Sequence, residues 1–178
     1  MKYYMGNSSV VEYIKDKIIP ILSELDISEE IDFDDISRKI HGLEKAGTPI
    51  GRETLYTESD VLDHIEEHIT IYEETDEVGI VGVITFYVNN DTLCIDTLCT
   101  PFIPQAKGVS SVLLNLIKDI LVKLNLKKIY LASLKTSEAF YKKNEFILDP
   151  HGIKHKEYRF IDMIYENPCY KQKNKTKK

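Results

Sequence analysis

Three runs rich in β-branched and aromatic residues, "ITIYEE", "VGIVGVITFYV" and "TLCIDTLCT", follow one another from Ile69 with only "TDE" and "NND" between them. Connections that short join antiparallel neighbours, because a parallel pair needs a crossover of a dozen or more residues. The chain is therefore committed to a β-meander in its middle. The third run leads through the small-residue turn "QAKGVSS" directly into "VLLNLIKDILVKLN", whose apolar residues recur at helical spacing.

The flanks complete the pattern. Ahead of the meander, "SSVVEYIKDKIIPILSEL" predicts a helix capped by Ser8 or Ser9 and kinked or divided at Pro20. "DFDDISRKIHGLEKAG" predicts a second helix with an aspartate cap and a stop near Gly47, and "TESDVLDHIEEH" a short third one. After the long helix come a strand "KIYLAS", a helix "TSEAFYKKN", and the strands "EFILDP" and "KEYRFIDMIY" around "HGIK". Helices first, a meander next, then alternating elements describe an α+β fold: a mixed, mostly antiparallel central sheet flanked by helices.

At 178 residues the chain has room for one domain with a sizeable core. The expected division is one domain over 1–166, with a helical region at 1–68 and a core at 69–165, followed by a lysine-rich, disordered tail at 167–178. No apolar run is long enough to span a bilayer, and the opening "MKYYMGNSS" lacks the order of a secretory leader. Cys94 and Cys99 lie an odd number of residues apart on one strand, so strict alternation sends them to opposite faces, unable to pair. With Cys169 they read as reduced thiols of a cytoplasmic protein. The net charge of −6 combines acidic runs before residue 78 with basic runs after residue 118. The lysine tail has no basic face with interleaved aromatics behind it, so nucleic acid is not an expected partner.

The turn at Gln105 is the first candidate site. A strand–turn–helix junction without bulky side chains offers free N–H groups and the positive helix end to an anion. It is neither a P-loop, since no G-K-[ST] follows, nor a G-x-G-x-x-G fingerprint. "QAKGVS" resembles the [QR]-x-x-G-x-[GA] turn of the GNAT superfamily of N-acetyltransferases. About thirty residues on, "EAFYKKNEF" resembles that superfamily's "A-x-x-F-Y-x-x-x-G-F" segment. Two departures stand out: Ser110 replaces a Gly or Ala, and Glu145 replaces a glycine, with Asn144 the residue expected to take the left-handed conformation in its place.

The resemblance implies a GNAT-like fold, acetyl-coenzyme A as co-substrate, an amine acceptor and no metal. It places the pyrophosphate on Gln105, Ala106, Lys107, Gly108, Val109, Ser110 and Ser111, and the pantetheine arm along Leu98, Cys99 and Thr100. Tyr141 falls where the family's general acid stands. Asp96 falls where an acidic residue often serves as base, and a substrate counter-charge or edge carboxylate is an equally weighted role for it. The acidic first half points to a cationic acceptor, such as a polyamine, a lysine or protein N-terminus, or an aminoglycoside-like amine. Two rivals remain at this level: a non-catalytic acyl-coenzyme-A-binding module, and a zinc hydrolase using His64 and His68, which fit H-x-x-E-H in "HIEEH". The simplest reading of those histidines is as exposed helix residues. Oligomeric state stays open, with a homodimer among the options.

Overall fold

The computed structural model describes residues 1–45, 58–152 and 159–171. The expected helix stop near Gly47, the turn that "TPIGRE" implies and the second half of the "HGIK" loop lie outside the described residues. Among the described residues, eight strands form one sheet: β1 Lys2–Met5, β2 Glu29–Glu30, β3 Ile69–Thr75, β4 Gly79–Asn89, β5 Thr92–Cys99, β6 Lys128–Leu134, β7 Ile147–Leu148 and β8 Phe160–Glu166. Their order is β2-β1-β3-β4-β5-β6-β8-β7. The meander is antiparallel throughout β3, β4 and β5, as the short connections require. Only β1–β2 and β5–β6 are parallel.

Five helices accompany the described sheet: α1 Ser9–Glu24, α2 Phe33–Lys45, α3 Glu58–Glu67, α4 Val109–Lys123 and α5 Glu138–Lys143. Helix α1 runs from Ser9 to Glu24 through Pro20, so of the two expected effects, a kink or a division, the proline does not divide it. Its buried stripe, Val11, Ile14, Ile18 and Leu22, sits at spacings of three and four, and packing of that face offsets the one backbone bond that proline removes. Helix α2 begins where Asp32 accepts the Asp35 N–H at 2.8 Å, the aspartate cap read from the sequence. The strands β1 and β2 at one end of the sheet escaped sequence reading because "KYYM" and "EE" are too short to show a period.

The sheet separates two cores. On one face Ile84, Phe86, Leu93 and Ile95 pack with Ile14 and Ile18 of α1 and Leu113, Leu114 and Ile117 of α4. On the other, Tyr72, Val83 and Cys99 pack with Ile36 and Ile40 of α2 and Val61 and Ile65 of α3. Gly82 lets α4 lie close to β4: a Cβ there would come within 2.5 Å of Val109 Cγ1 and 3.2 Å of Leu113 Cδ1.

Helix α5 ends on Glu145, not Asn144, in the left-handed region. Glu145 has φ 68°, whereas Asn144 has φ −94°. Phe146 N–H reaches back to the Tyr141 carbonyl and Glu145 N–H to that of Lys142, the paired bonds that satisfy a helix end. Lys118 holds the Glu145 carboxylate at 2.7 Å, an anchor for a side chain at a position that favours glycine. Beyond β8, Asn167 donates to the Leu126 carbonyl at 2.7 Å and Lys171 N–H to Asn125 Oδ1 at 3.1 Å. The chain is thus tied to the body through residue 171, and residues 172–178 lie outside the described ones.

Candidate active site

Strands β5 and β6 start out paired and then part. Their parallel register runs from Thr92↔Lys128 to Ile95↔Leu131 and goes no further, although β5 continues to Cys99 and β6 to Leu134. Parted strands leave main-chain groups and side chains facing a gap instead of each other. A small cavity occupies that gap, lined by Asp96, Leu98, Ser133, Leu134 and Tyr141 among others. The two proposed catalytic residues, 45 positions apart in the chain, therefore border one space.

A β-bulge sits at the point of parting. Thr85 of β4 faces Thr97 of β5, but the next residue, Phe86, faces Ile95, so Asp96 has no partner across the ladder. Thr85 Oγ1 accepts the Thr97 N–H at 3.0 Å, satisfying a donor at the irregularity. The extra residue resets the alternation of β5. Leu93, Ile95 and Leu98 associate with the α1–α4 core, while Cys99 belongs to the α2–α3 core. A strictly alternating strand would put Asp96 and Leu98 on one face and, as the sequence predicts, Cys94 and Cys99 on opposite ones; the bulge undoes both. Asp96 does not share a strand face with Leu98. Nor do Cys94 and Cys99 point to opposite faces: both turn toward the α3 side, and both are buried free thiols. Burial pushes the Cys99 thiol up to about 12, so its side chain is an inert core group.

The bulge aims Asp96 at α3. Its Oδ2 lies 3.3 Å from His64 Nδ1 and 3.4 Å from His68 Nδ1. His64 Nδ1 also shares a hydrogen bond of 2.6 Å with Thr97 Oγ1. The His68 ring stacks on Tyr87 with centroids 4.7 Å apart. Burial pushes the Asp96 carboxyl upward, but the two imidazoles outweigh it and hold the group below the usual carboxylate range. At 24% and 15% side-chain exposure, His64 and His68 are not the exposed helix residues expected from sequence. Their i, i+4 spacing was a true signal of a shared helix face, and what that face meets is a carboxylate. Among the described residues no group of three or more His, Cys, Asp or Glu side chains is arranged to hold a metal ion.

On the far side of the gap, the chain leaves β5 through Thr100 and Pro101, makes a short 3-10 turn at Pro104–Ala106, and enters α4. Gly108 caps that helix with φ 88°, a conformation that L side chains rarely adopt. A Cβ built on Gly108 would meet nothing within 4 Å, so the space in front of the helix start is open. That space is a cavity of about 510 Å³ lined by Thr100 to Pro104, Ala106, Lys107, Gly108, Ser110, Ser111 and Phe140. The structure thus gathers Thr100, Ala106, Lys107, Gly108, Ser110 and Ser111 around one volume. Leu98 lines the smaller cavity instead, and Cys99 turns its side chain into the core. Gln105 is exposed beside the larger cavity, and Val109 is half-buried against Gly82. Phe102, 82% exposed, and Phe140 line the larger cavity and were not among the residues expected from sequence. Phe102 carries no motif that could have marked it, whereas Phe140 stands inside the "EAFYKKNEF" segment, where attention fell on its neighbour Tyr141.

Parted strands thus stand beside a glycine-capped helix with an open volume in front of it. The acetyltransferase (GNAT) family profile matches residues 32–146. The chain belongs to the GNAT family of acetyltransferases. No curated protein matches its sequence. Among solved structures it is similar to an aminoglycoside 6'-acetyltransferase type Ii, with 15% identity over 77% of this chain and 94% of that one and a TM-score of 0.58. It is similar also to Tetrahymena GCN5, with 14% identity over 77% and 89% and a TM-score of 0.57. A spermidine N-acetyltransferase chimera from Vibrio cholerae and hSSAT aligns at 19% identity over 79% and 94%, with a TM-score of 0.51. At these identities the likeness is one of fold.

Proposed function

We propose that this acetyltransferase moves the acetyl group of acetyl-coenzyme A onto a primary amine by direct attack of the amine on the thioester. The observation that carries the reading is the Gly108 cap, open in front and bordering the larger cavity. The N–H groups around Gly108 to Ser111 at the start of α4 would receive the pyrophosphate, with Gln105, Ala106, Lys107 and Val109 completing the turn. Main-chain groups of Leu98, Cys99 and Thr100 would guide the pantetheine arm toward the gap between β5 and β6. There the amine attacks the carbonyl carbon, the C–S bond breaks, the departing thiolate takes a proton from Tyr141, and the proton that the nitrogen sheds on becoming an amide restores the Tyr141 hydroxyl. Asp96 borders the same gap and would help remove the proton from the attacking ammonium.

The matched profile covers the second half of the helical region and the core as far as residue 146; residues 1–166 are read as one unit, with 1–68 on the acceptor side. The acidic runs of that region support a cationic acceptor, which a carboxylate-lined approach concentrates and salt screens. Among the described residues no helix is long and apolar enough to cross a membrane. The free cysteines favour a cytoplasmic setting.

Ligand-dependent stability tests this reading. At a concentration of acetyl-coenzyme A near a hundredfold over its dissociation constant, linkage adds about 2.7 kcal/mol. For a chain of this length that raises the melting temperature by about 5–10 °C. Gly108→Glu puts a side chain and a negative charge into the open space and should abolish the shift. Absence of any shift in the parent protein at millimolar ligand would overturn the co-substrate assignment.

A further inference from the structure

Removing a proton from an alkylammonium needs a group able to keep it, and Asp96 alone is poorly suited to that. Its carboxyl is held on the acidic side of the usual range, so a proton placed on it returns readily. An imidazole is ordinarily about 2.6 pK units more basic than an aspartate, roughly 400-fold in proton affinity. Two imidazoles stand behind this carboxylate. His64 shares its Nδ1 with Thr97 Oγ1 at 2.6 Å, which fixes that ring. His68 Nδ1 is different: it is buried and makes no hydrogen bond, although it lies 3.4 Å from Asp96 Oδ2. That separation exceeds a charge-assisted N–H···O bond of about 2.7–2.9 Å.

We propose that Asp96 and His68 act together as a two-member proton acceptor, Asp96 taking the proton from the acceptor ammonium at the cavity and passing it to His68 Nδ1. In the first step an N–H bond of the ammonium breaks and an O–H bond forms on Asp96. In the second the O–H bond breaks and an N–H bond forms on His68, leaving a carboxylate beside an imidazolium. The amine keeps the electron pair and attacks the thioester. The order of the groups supports this direction. Asp96 lines the gap between β5 and β6, and His68 stands behind it on the α3 side, its ring held by the Tyr87 stack.

The ionisable groups facing His68 are Asp96 of β5, His64 of α3 and Tyr87 of β4, with Cys94 of β5 beyond the Tyr87 hydroxyl. Burial raises Tyr87 to about 12 and raises Cys94, so both stay neutral while the Asp96–histidine group changes charge. The proposal rests on the transferase reading, and its test separates the two.

The transfer arm uses spermidine, kanamycin and a lysine-bearing peptide as probe acceptors, with release of free coenzyme A as readout. His68→Gln should lower kcat/KM at pH 7 by about 100-fold, a general-base loss, and the deficit should shrink toward pH 10 as the amine deprotonates unaided. The melting shift with acetyl-coenzyme A should remain, marking a folded site. A second arm needs no acceptor. In nitrogen-15 spectra of the full chain titrated from pH 8 to pH 5, the His68 Nδ1 resonance should follow a different course in Asp96→Asn than in the parent. A parent-like pH profile in His68→Gln, or a His68 Nδ1 resonance indifferent to Asp96→Asn, overturns the relay. Loss of the acetyl-coenzyme A shift in the parent protein would instead strike the transferase reading.

Discussion

Gly82 is where the fold sets the position of the site, and replacing it with alanine should show the connection. It lies inside β4 with no unusual φ, so alanine carries no backbone strain and only steric consequences follow. The new Cβ would sit 2.5 Å from Val109 Cγ1, 3.2 Å from Leu113 Cδ1 and 3.4 Å from Thr100 Cγ2. Ordinary carbon contacts are about 3.5–4.0 Å, so the start of α4 must retreat by roughly 1 Å. Val109 is β-branched and stiff in a helix, which closes the route of simple rotation. Overpacking of this kind costs about 1–3 kcal/mol, or a fall of roughly 4–8 °C for a cost near 2 kcal/mol in a chain of this size.

Val109→Ala removes the methyl group that the new Cβ meets. The double variant Gly82→Ala/Val109→Ala should therefore be more stable than the sum of the single changes by about 1–2 kcal/mol, well beyond the roughly 0.5 kcal/mol scatter of independent sites. Urea unfolding of the four proteins measures that coupling. Because Val109 is the first residue of α4, Gly82→Ala should also weaken acetyl-coenzyme A, and the double variant should recover part of the loss. Additive stabilities would refute the claimed contact. A coupled pair with unchanged ligand affinity would refute the inference that the contact positions the turn.

Two other expectations concern single groups. Tyr141→Phe keeps the ring contacts with Phe140 and Phe146 at 5.1 and 5.6 Å and removes only the hydroxyl, so kcat should fall about tenfold or more with little change in acetyl-coenzyme A affinity. Equal turnover would assign thiolate protonation elsewhere. Burial pushes Glu74 upward, but Lys2 at 2.7 Å and Lys39 at 2.6 Å outweigh it and hold its carboxyl below 4.5. A depressed folded value means the contribution is present above 4.5 and is lost as pH falls through the folded value. Glu74→Gln should thus lower stability at pH 7 and flatten the acid side of the stability curve, and an unchanged acid limb in denaturant titrations would show the pairs to be inert.

Much of this fold is legible in the sequence because period and connection length suffice for it. "TDE" and "NND" dictate antiparallel neighbours, and β3, β4 and β5 are paired in that way. The Gly108 turn is legible too, since its chemistry is local: a left-handed cap before an amphipathic run. What escapes is whatever depends on register or on an edge. Strand β1 gains its identity from β3 beside it, and β2 from β1, not from any pattern of their own. Glu145 takes the left-handed position itself, held by Lys118 from a helix 27 residues earlier in the chain, which no local rule connects to it.

The bulge at Asp96 is the most consequential of these hidden features. Strict alternation would direct Asp96 and Thr97 to opposite faces of β5; the extra residue turns both toward His64. A regular strand could present either the carboxylate or the threonine to α3, but not both. It would also continue pairing with β6 past Ile95, closing the gap that Asp96 and Tyr141 now border. One irregularity therefore accounts for both the half-buried carboxylate and the imidazoles beside it. Nothing in "TLCIDTLCT" announces it, because a bulge is a relation between two strands. The corresponding signal lies on the partner, where Thr85 supplies the hydroxyl that accepts the Thr97 N–H. Thr85→Val keeps the shape, removes that acceptor and leaves a buried donor unpaired, at a cost of about 1–3 kcal/mol. If the bulge orients the carboxylate, Thr85→Val should disturb the nitrogen-15 signals of His64 and His68 from the far side of the sheet pair. Unchanged imidazole signals alongside the stability loss would show that Asp96 holds its place without Thr85.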